Sequence, residues 1–362
     1  MIDIMTRVFH PIGQGAFYSE RHDGLNVVYD CGEWKDSNRS ELLVKNSFQE
    51  GDCIHLLFIS HFDFDHISKV DTLRTAFNVK TCILPLLQQD QLAILKAYYS
   101  SQKNESARRL VEDPVSYFGE NTKVIFVEFG EGSNGENEGS VDLDSLGSGS
   151  RIQSGKSIKV SDWLYVPYNL NHYQARAKLE SAFQKAKLDF ELFMTDMSYA
   201  LLNRVEIKKL YNKLPGGINL NSMVVYSGPC RTGSFIVDHY QNHRNCSPYC
   251  HHFSRNWEDQ TRAGCIYTGD TSLKIVDLAH IFRSHISNVG TIQLPHHGDK
   301  ESFESSLLSN EKFIFPVSYG SNNTYGHPAN QVIVEILQNG SLPIHVNEMS
   351  ETIYVQIVKK WA

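Results

Sequence analysis

The sequence predicts an α/β fold in which β-sheets form a sandwich with helices packed outside it. Short runs of large apolar residues, such as residues 54–60, are typical of strands in a sheet that is covered on both faces. A stretch with helical periodicity, residues 173–213, lies between two groups of such strands. Polar residues follow several of the strands directly, so we expect a site at one rim of the sandwich.

Composition and charge limit the size and the class of the protein. The chain has 362 residues, of which 41% are hydrophobic and 21% are charged, as in globular proteins with a sizeable core. We interpret it as one domain, residues 1–362, with insertions. The formal net charge of −7 argues against a broad basic surface for nucleic acid, although a local basic groove is compatible with it.

Three features favour a cytoplasmic location without a membrane partner. No run of 18 or more apolar residues predicts a membrane helix, and residues 1–15 lack the pattern of a signal peptide. The seven cysteines are an odd number without framework spacing, which favours a reducing compartment. Cys31, Cys53, Cys82 and Cys265 lie in or beside apolar runs, and we interpret them as small core residues.

The first part of the chain predicts three strands. Residues 6–12 form the first strand, which the sequence Gly-Gln-Gly follows. Residues 25–29 form the second strand, which ends in Asp-Cys-Gly, and residues 54–60 form the third. The sequence His-Phe-Asp-Phe-Asp-His comes directly after the third strand, at the strand end where ligands gather in α/β sheets.

The rest of the chain predicts more strands, a helical segment and two insertions. Residues 131–156 are rich in Gly, Ser, Glu and Asn, and we expect a flexible insertion there. Residues 173–213 are expected to be helical, and residues 228–264 form a polar insertion that is rich in Cys and His. Further strands are expected at residues 157–167, 221–227, 265–267, 291–294 and 312–317.

Four potential metal ligands occur within six residues after the third strand. His61, Asp63, Asp65 and His66 combine imidazole and carboxylate groups, which suit zinc, manganese or iron. A tight turn after a strand can point alternate side chains at two adjacent ions. The competing interpretation is a polar loop with solvated charges, in which Asp65 caps a following helix.

Two later strand ends carry further candidate ligands. Asp270 ends the sequence Thr-Gly-Asp, where its carboxylate could bridge two metal ions; an ordinary turn is the alternative. His296 and His297 follow the strand at residues 291–294. Adjacent side chains point different ways, so we expect one of the two histidines to be a ligand, without a choice between them. Surface exposure is the alternative for this pair.

A fourth strand end carries candidate substrate-binding residues. Ser318 ends the strand at residues 312–317, and His327 follows in the sequence Tyr-Gly-His-Pro. Both side chains could hold substrate oxygens. The alternative is a tyrosine-rich turn without a role in binding.

A second cluster of potential ligands lies in the insertion at residues 228–264. Cys246 and Cys250, with the two histidines that follow Cys250, have a spacing that a structural zinc could use. The spacing matches no standard zinc finger. A polar surface loop with reduced cysteines is therefore the competing interpretation.

The order of these motifs resembles the metallo-β-lactamase superfamily, whose hallmark is HxHxDH. More closely, it is similar to the hydrolase domain of ComEC-type competence proteins, which carry GQG, D-x-G, HxDxDH, T-G-D, P-H-H-G and S-x-G with Y-G-H-P. The match extends from about residue 6 to residue 330, without the membrane channel of those proteins. Asp63 replaces the second histidine of the hallmark, and the usual third-motif histidine has no clear counterpart, although His172 falls in that interval.

The resemblance implies a four-layer αββα sandwich and a metal-dependent hydrolase with two divalent ions, zinc or manganese. An oxygen ligand at Asp63 shifts the preference towards manganese. The implied activity is that of a phosphodiesterase or nuclease acting on DNA or nucleotides through a hydroxide that bridges the metal ions. Alternatives are hydrolysis of a carboxyl, thioester or lactam bond, and a metal-bearing sensor or protein-interaction subunit of a bacterial defence or stress system.

The same resemblance implies a role for each candidate residue. Asp65 is both a metal ligand and a catalytic candidate, while Ser318 and His327 would bind phosphate or assist the leaving group. Asp30 would orient a ligand histidine; a plain turn aspartate is the alternative. The implied metal ligands are His61 and Asp63 for one ion, Asp65 and His66 for the other, Asp270 as the bridge, and His296 or His297.

Overall fold

The computed structural model describes residues 4–22, 24–35, 37–130, 139–170, 174–213, 222–230, 235–241, 261–308 and 311–360. Within these ranges the strands form one sheet of nine strands and one of eight, and helices cover both outer faces. The four-layer αββα architecture predicted from the sequence is confirmed.

The nine-stranded sheet combines antiparallel and parallel pairs. Strands are antiparallel from β12 through β17, β1 and β2 to β3, and parallel from β3 through β4, β5 and β6 to β8. The parallel strands are covered on both faces, which explains their nearly continuous apolar sequences. The strands of this sheet are β1 (Ile4–Phe9), β2 (Gly15–His22), β3 (Leu25–Glu33), β4 (Cys53–Phe58), β5 (Asn78–Pro85), β6 (Lys123–Val127), β8 (Arg151–Ile152), β12 (Phe235–Gln241) and β17 (Tyr354–Lys360).

The eight-stranded sheet has the order β16-β15-β14-β13-β11-β10-β9-β7. Strands β13, β14, β15 and β16 are parallel, so the segments that follow their carboxyl ends meet at one edge. Its strands are β7 (Ser140–Val141), β9 (Ser157–Val160), β10 (Trp163–Asn169), β11 (Met223–Pro229), β13 (Gly264–Tyr267), β14 (Val289–Ile292), β15 (Ile314–Ser318) and β16 (Leu342–Val346).

The helices α1–α10 pack on the nine-stranded sheet, and α11 and α12 pack on the other. None of the helices in the described residues combines the length and the apolarity that a bilayer crossing needs. The helices are α1 (Asn38–Lys45), α2 (Phe64–Ile67), α3 (Val70–Ala76), α4 (Gln89–Ser101), α5 (Glu105–Glu112), α6 (Pro114–Phe118), α7 (Gln174–Lys185), α8 (Phe190–Thr195), α9 (Met197–Leu202), α10 (Arg204–Lys213), α11 (Leu278–Ile281) and α12 (Asn330–Gln338).

An aromatic core holds the two sheets together. Tyr29 of β3 and Tyr267 of β13 stack across the sandwich, with ring centroids 3.6 Å apart and planes 17° from parallel. Phe9 and Tyr18 pack beside them. Burying one large apolar side chain contributes about 1.5–3 kcal/mol, so this core fixes how the rims of the two sheets face each other.

Both predicted insertions contribute strands. The described part of residues 131–156 differs from the expected loop, because β7 and β8 in it pair with β9 and β6. Strands of two residues are too short to show an alternating pattern, so composition alone suggested a loop there. In the insertion at residues 228–264, β12 pairs with β17 at the edge of the nine-stranded sheet. Four helices, α7–α10, occupy the described part of residues 173–213.

Candidate metal centre

Segments that follow neighbouring strands bring the candidate ligands to one rim of the sandwich. His61 follows β4, and Asp65 and His66 lie in α2 just beyond it. Asp270 follows β13, and His297 follows β14. All five residues are buried. The sequence His-Phe-Asp-Phe-Asp-His is therefore part of an enclosed polar cluster, and the interpretation of a solvated loop is wrong.

Asp270 lies between two histidines. Its Oδ1 atom is 3.1 Å from Nε2 of His66, and its Oδ2 atom is 3.6 Å from Nε2 of His61. One potential ligand atom from each of these three residues lies within 4.8 Å of the others. The two oxygens of Asp270 thus face different imidazoles, as a carboxylate between two cations would.

A second group of potential ligands adjoins the first. Oδ2 of Asp65 is 3.1 Å from Nε2 of His297, and these two residues form a group with His66 within 4.8 Å. Because His66 belongs to both groups, the two candidate positions are adjacent. Two adjacent positions are the arrangement that a two-metal site needs, and the carboxylate of Asp270 borders His66, the residue that they share.

Asp63 and His296 lie on the more open side of the cluster. Oδ2 of Asp63 is 3.7 Å from Nε2 of His61, and Nε2 of His296 is 3.8 Å from Oδ2 of Asp270. The two side chains keep 18% and 20% of their surface exposed, so solvent reaches this half of the cluster. The structure brings together every ligand candidate of the main site.

The sequence left open which member of the histidine pair approaches the site, and the structure shows that both do. His296 has φ 48° and His297 has φ 55°, so two successive residues are in the left-handed region. This turn places His296 near Asp270 and His297 near Asp65. Two left-handed residues in succession are unfavourable in an ordinary turn, and they occur here where both imidazoles face carboxylates.

Asp30 orients His66. Its Oδ2 accepts a hydrogen bond from Nδ1 of His66 at 2.8 Å, and its two oxygens also accept from the backbone N–H and the hydroxyl of Ser60, each at 2.7 Å. The carboxylate keeps a proton on Nδ1, so the lone pair of the neutral ring is on Nε2, which faces the cluster. This arrangement supports the orienting role proposed for Asp30.

The rings of His297 and His61 are oriented in the same way. Nδ1 of His297 lies 2.8 Å from the carbonyl oxygen of Ser318, which can only accept, so Nδ1 carries the proton. Nδ1 of His61 lies 2.9 Å from the hydroxyl of Ser60, whose own proton is donated to Asp30. In the neutral state both rings therefore present an unprotonated Nε2, which metal ligation requires.

Several buried atoms of the cluster lack a hydrogen-bond partner within the described part of the chain. They include Nε2 of His61, and also Nε2 of His66 and Oδ1 of Asp270, which lie 3.1 Å apart as an ion pair but without hydrogen-bond geometry. An unsatisfied buried polar atom costs about 1–3 kcal/mol, so such atoms seldom persist without a function. A divalent cation fits this set, because imidazole nitrogen and carboxylate oxygen are ligands of zinc and manganese.

Crowded charges shift the pKa values in the cluster. Burial raises the pKa of Asp63. Burial alone would raise the pKa of Asp270 as well, but the imidazole of His66 and its neighbours hold it well below its ordinary value. Burial alone would lower the pKa of His66, yet the carboxylates of Asp270 and Asp30 raise it well above its ordinary value. Carboxylates and imidazoles therefore stabilise each other's charged forms.

Two glycines allow α2 to lie against the sheet. A Cβ atom on Gly32 would lie 2.6 Å from the backbone of Asp65 and His66, and one on Gly15 would lie 2.7 Å from the carbonyl oxygen of Asp65. Any larger residue would push α2 and its two ligands away from the cluster. The glycines of Gly-Gln-Gly and Asp-Cys-Gly thus serve the geometry of the site.

Ser318 and His327 border the cluster. Ser318 is buried at the end of β15, and its hydroxyl has no hydrogen-bond partner within the described ranges. The ring centroid of His327 lies 5.7 Å from that of His296 and 6.3 Å from that of His297. Burial, together with these two imidazoles, lowers the pKa of His327 to about 4.

Several residues that orient the ligands were not assigned this role from the sequence, although Ser222 lies in a motif, N-x-x-S, that ComEC-type domains share. The hydroxyl of Ser222 accepts a hydrogen bond from the backbone N–H of Asp270 at 2.9 Å. The hydroxyl of Ser302 lies 3.1 Å from Nδ1 of His296 and donates to Asp299 at 3.1 Å. Serines in turns have no pattern that marks this role. Asp299, directly after Pro-His-His-Gly, is the member of this group that its position could have indicated.

The predicted structural zinc at Cys246 and Cys250 lies outside the described residues, and so does His172. His239, from the same insertion as the two cysteines, is part of β12, and its Nδ1 lies 2.7 Å from the hydroxyl of Tyr354. That histidine therefore contacts the edge of the nine-stranded sheet. The zinc at Cys246 and Cys250 stays a prediction.

The first half of the chain is similar to a known superfamily. Residues 16–189 match the sequence profile of the metallo-beta-lactamase superfamily, a range that includes β4, α2 and the first four candidate ligands. The matched range is just under half of the chain. No curated protein matches it.

Two solved structures are similar to the chain over nearly its whole length. The metallo-beta-lactamase fold protein YhfI from Bacillus subtilis is 9% identical, with a TM-score of 0.43, and the match covers 98% of this chain and 99% of that chain. Zn²⁺-bound PqqB from Methylobacterium extorquens is 8% identical, also with a TM-score of 0.43, and the match covers 95% of this chain and 98% of that chain.

Proposed function

We propose that this metallo-beta-lactamase superfamily domain is a two-metal-dependent phosphodiesterase that hydrolyses nucleotides or nucleic acid. The observation that carries the proposal is the pair of adjacent ligand groups that share His66, one of which contains Asp270 with its two oxygens facing different imidazoles. Two bound divalent ions would supply charge neutralisation for both the attacking and the leaving oxygen of a phosphoryl centre, and would lower the pKa of a water molecule.

His61 and His296 face Oδ2 of Asp270, whereas His66 faces Oδ1. The mixture of nitrogen and oxygen donors makes zinc and manganese the candidates, and the carboxylate at Asp63 favours manganese. One ion would be held by His61, Asp63, His296 and Oδ2 of Asp270, and the other by Asp65, His66, His297 and Oδ1 of Asp270.

Residues beside the ligands would bind the substrate. The buried hydroxyl of Ser318 can donate to a non-bridging phosphate oxygen. Nδ1 of His327, which is also buried without a hydrogen-bond partner in the described residues, can contact a second oxygen of the substrate. Asp65 is a ligand candidate, and its Oδ2 also lies 3.1 Å from Nε2 of His297. It would therefore position the ring of His297 during turnover.

The order of the motifs along the sequence and the net charge of the chain support a phosphodiester substrate. The resemblance to ComEC-type hydrolase domains implies action on DNA, and that closeness is part of the proposal. A net charge of −7 favours a nucleotide or a short single strand over a long duplex, because duplex binding depends on neutralising many phosphates.

Hydrolysis of bis-p-nitrophenyl phosphate by protein loaded with Zn²⁺ or Mn²⁺ tests the proposal. We expect turnover that a chelator abolishes and that added metal restores. Nitrocefin and an acyl thioester serve as comparison substrates. Turnover of either of these without turnover of the phosphodiester would contradict the proposal.

A matched pair of variants links the activity to the cluster. Asp270→Asn is expected to reduce turnover below detection, because an amide has one oxygen donor where the carboxylate has two. Tyr240→Ala changes an exposed residue of β12 outside the site and is expected to keep wild-type activity. Metal analysis should find at least two ions per wild-type chain and fewer in Asp270→Asn; full activity in that variant would exclude the proposed role.

A further inference from the structure

A line of aromatic rings leads from the candidate metal centre to the surface. The ring centroid of His327 lies 6.3 Å from that of His297 and 5.8 Å from that of Tyr325. The ring planes of His327 and Tyr325 are 29° from parallel. The ring of Trp34 lies 6.2 Å beyond that of Tyr325 and is nearly perpendicular to it, at 87°. The line therefore connects the two ligand groups to two large aromatic side chains.

Trp34 and Tyr325, which we call the aromatic rim, contribute to none of the three apolar cores found among the described residues. Tyr325 is 47% exposed and Trp34 is half-buried, whereas the side chain of His327 is 13% exposed. Large aromatic rings normally contribute to stability through burial. An exposed pair beside a polar cluster is more typical of a binding surface.

Hydrogen bonds hold the backbone of both rim residues in place. The backbone carbonyl of Gln14 accepts a hydrogen bond from the backbone N–H of Trp34 at 2.7 Å. The side-chain oxygen of Gln14 accepts a hydrogen bond from the backbone N–H of Gly320 at 3.1 Å. The side-chain oxygen of Asn323 accepts from the backbone N–H groups of Tyr325 and His327, at 3.1 and 3.0 Å. A rim that is ordered before binding loses less entropy when a ligand arrives.

A cation lies at the outer end of the rim. Nζ of Lys208, an exposed residue of α10, is 5.9 Å from the ring centroid of Trp34. The rim thus combines aromatic rings with a positive charge, next to a cluster that suits phosphate. Proteins that bind single-stranded nucleic acid use this combination, with rings for the bases and cations for the phosphates.

We propose that the aromatic rim binds the nucleobase of a nucleoside phosphodiester whose phosphate occupies the candidate metal centre. The inference rests on the proposed function and narrows its substrate to esters that carry a base. Stacking on Trp34 and Tyr325 tolerates any base, because every base has a π-face. Lys208 would contact a neighbouring phosphate on the outer side of that base.

The first experiment compares two substrates that share a leaving group, thymidine 5′-(p-nitrophenyl phosphate) and methyl p-nitrophenyl phosphate. Trp34→Ala and Tyr325→Ala should each lower the ratio of kcat/KM for the nucleoside ester to that for the methyl ester by roughly 10- to 100-fold, mainly through KM. Trp34→Phe should restore most of the ratio, and Tyr240→Ala is the exposed aromatic control. An unchanged ratio in both alanine variants would overturn the proposal.

The second experiment measures binding in the presence of a chelator, so that the proposed activity does not hydrolyse the ligand. Quenching of tryptophan fluorescence by the dinucleotide thymidylyl-thymidine is expected in the wild-type protein and should be lost in Trp34→Phe. Equal quenching in both proteins, or none in the wild type, overturns the role of the rim. Wild-type protein that binds the dinucleotide but hydrolyses neither ester would refute the proposed function and leave the rim supported.

A ten-residue oligothymidine distinguishes the two sources of the base. Tighter binding of the oligothymidine than of thymidylyl-thymidine would identify a strand as the source, and equal binding would identify a small nucleotide.

Discussion

Two clusters of buried charge among the described residues differ in how completely the chain's own hydrogen bonds satisfy them. Arg7 of β1 and Glu20 of β2 form an ion pair at 2.8 Å, with 1% and 0% of their side-chain surface exposed. In the candidate metal centre, Nε2 of His61, Nε2 of His66 and Oδ1 of Asp270 are equally buried but lack hydrogen-bond partners in the described residues.

The pair of Arg7 and Glu20 receives partners from both sheets. Arg7 donates to the side-chain oxygen of Gln356 at 2.8 Å, and Glu20 accepts from the hydroxyls of Ser227 at 2.7 Å and Tyr267 at 3.1 Å. Burial alone would raise the pKa of Glu20, but Arg7 lowers it to about 2. This fold can therefore satisfy buried charge from its own residues. The contrast is the one expected if a bound metal ion completes the candidate metal centre.

The largest expected effect comes from breaking the satisfied cluster. Arg7→Met leaves the carboxylate of Glu20 buried without its cation, and we expect a loss of about 3–5 kcal/mol in the free energy of unfolding. Urea unfolding followed by circular dichroism measures this loss. The double variant Arg7→Met/Glu20→Met should recover much of it, because no unpaired charge remains. A loss below about 1 kcal/mol in the single variant would contradict the comparison.

The unsatisfied cluster should respond to metal in the opposite sense. An ion that binds the folded chain alone adds about 2.7 kcal/mol of stability at a free concentration 100 times its Kd. Thermal unfolding with and without Zn²⁺ or Mn²⁺ measures the gain, and a chelator should reverse it. Asp270→Asn is the matched control. An equal gain in that variant would place the metal elsewhere in the chain.

The sequence predicted the candidate ligands because strand ends are visible in it. A short apolar run followed by His61 or Asp270 gives both the position in the fold and the donor atom. No strand was predicted at β2, β5, β6, β16 or β17. The apolar pattern is also missing from β7 and β8, which are two residues long, and from β12, which lies in a polar insertion. Their strand character depends on pairing with distant residues, which a local pattern does not contain.

The residues that orient the ligands were also hidden. Asp30 was a candidate because it ends a predicted strand, but Ser60 and Ser222 are ordinary polar residues until the fold places them beside His61. Trp34 was not singled out, because a lone tryptophan after a strand is as consistent with a core as with a rim. Contacts over large sequence separations, such as that between Trp34 and Tyr325, decide the difference.

A smaller effect, on metal affinity, is expected from Asp30, whose carboxylate contacts the side of the His66 ring that faces away from the cluster. Asp30→Asn removes the anion that holds the proton on Nδ1 of His66, and a loss of about 10- to 100-fold in metal affinity is typical for such a partner. Competition with a chromophoric chelator measures the affinity for Zn²⁺. Asp144→Asn, at an exposed position, is the control. Unchanged affinity in Asp30→Asn would mean that another group fixes the orientation of His66.

The smallest effect is expected at the open side of the same cluster. Ser302→Ala removes the hydroxyl beside Nδ1 of His296, a ring that is 20% exposed, so water can replace the lost partner. One neutral hydrogen bond contributes about 0.5–1.5 kcal/mol, which corresponds to a loss of roughly 2- to 10-fold in kcat/KM for the phosphodiester. Ser145→Ala is the exposed control. If Ser302→Ala lowers kcat/KM more than Asp30→Asn does in the same assay, the open half of the cluster limits turnover. Burial would then not predict which orienting residues matter most.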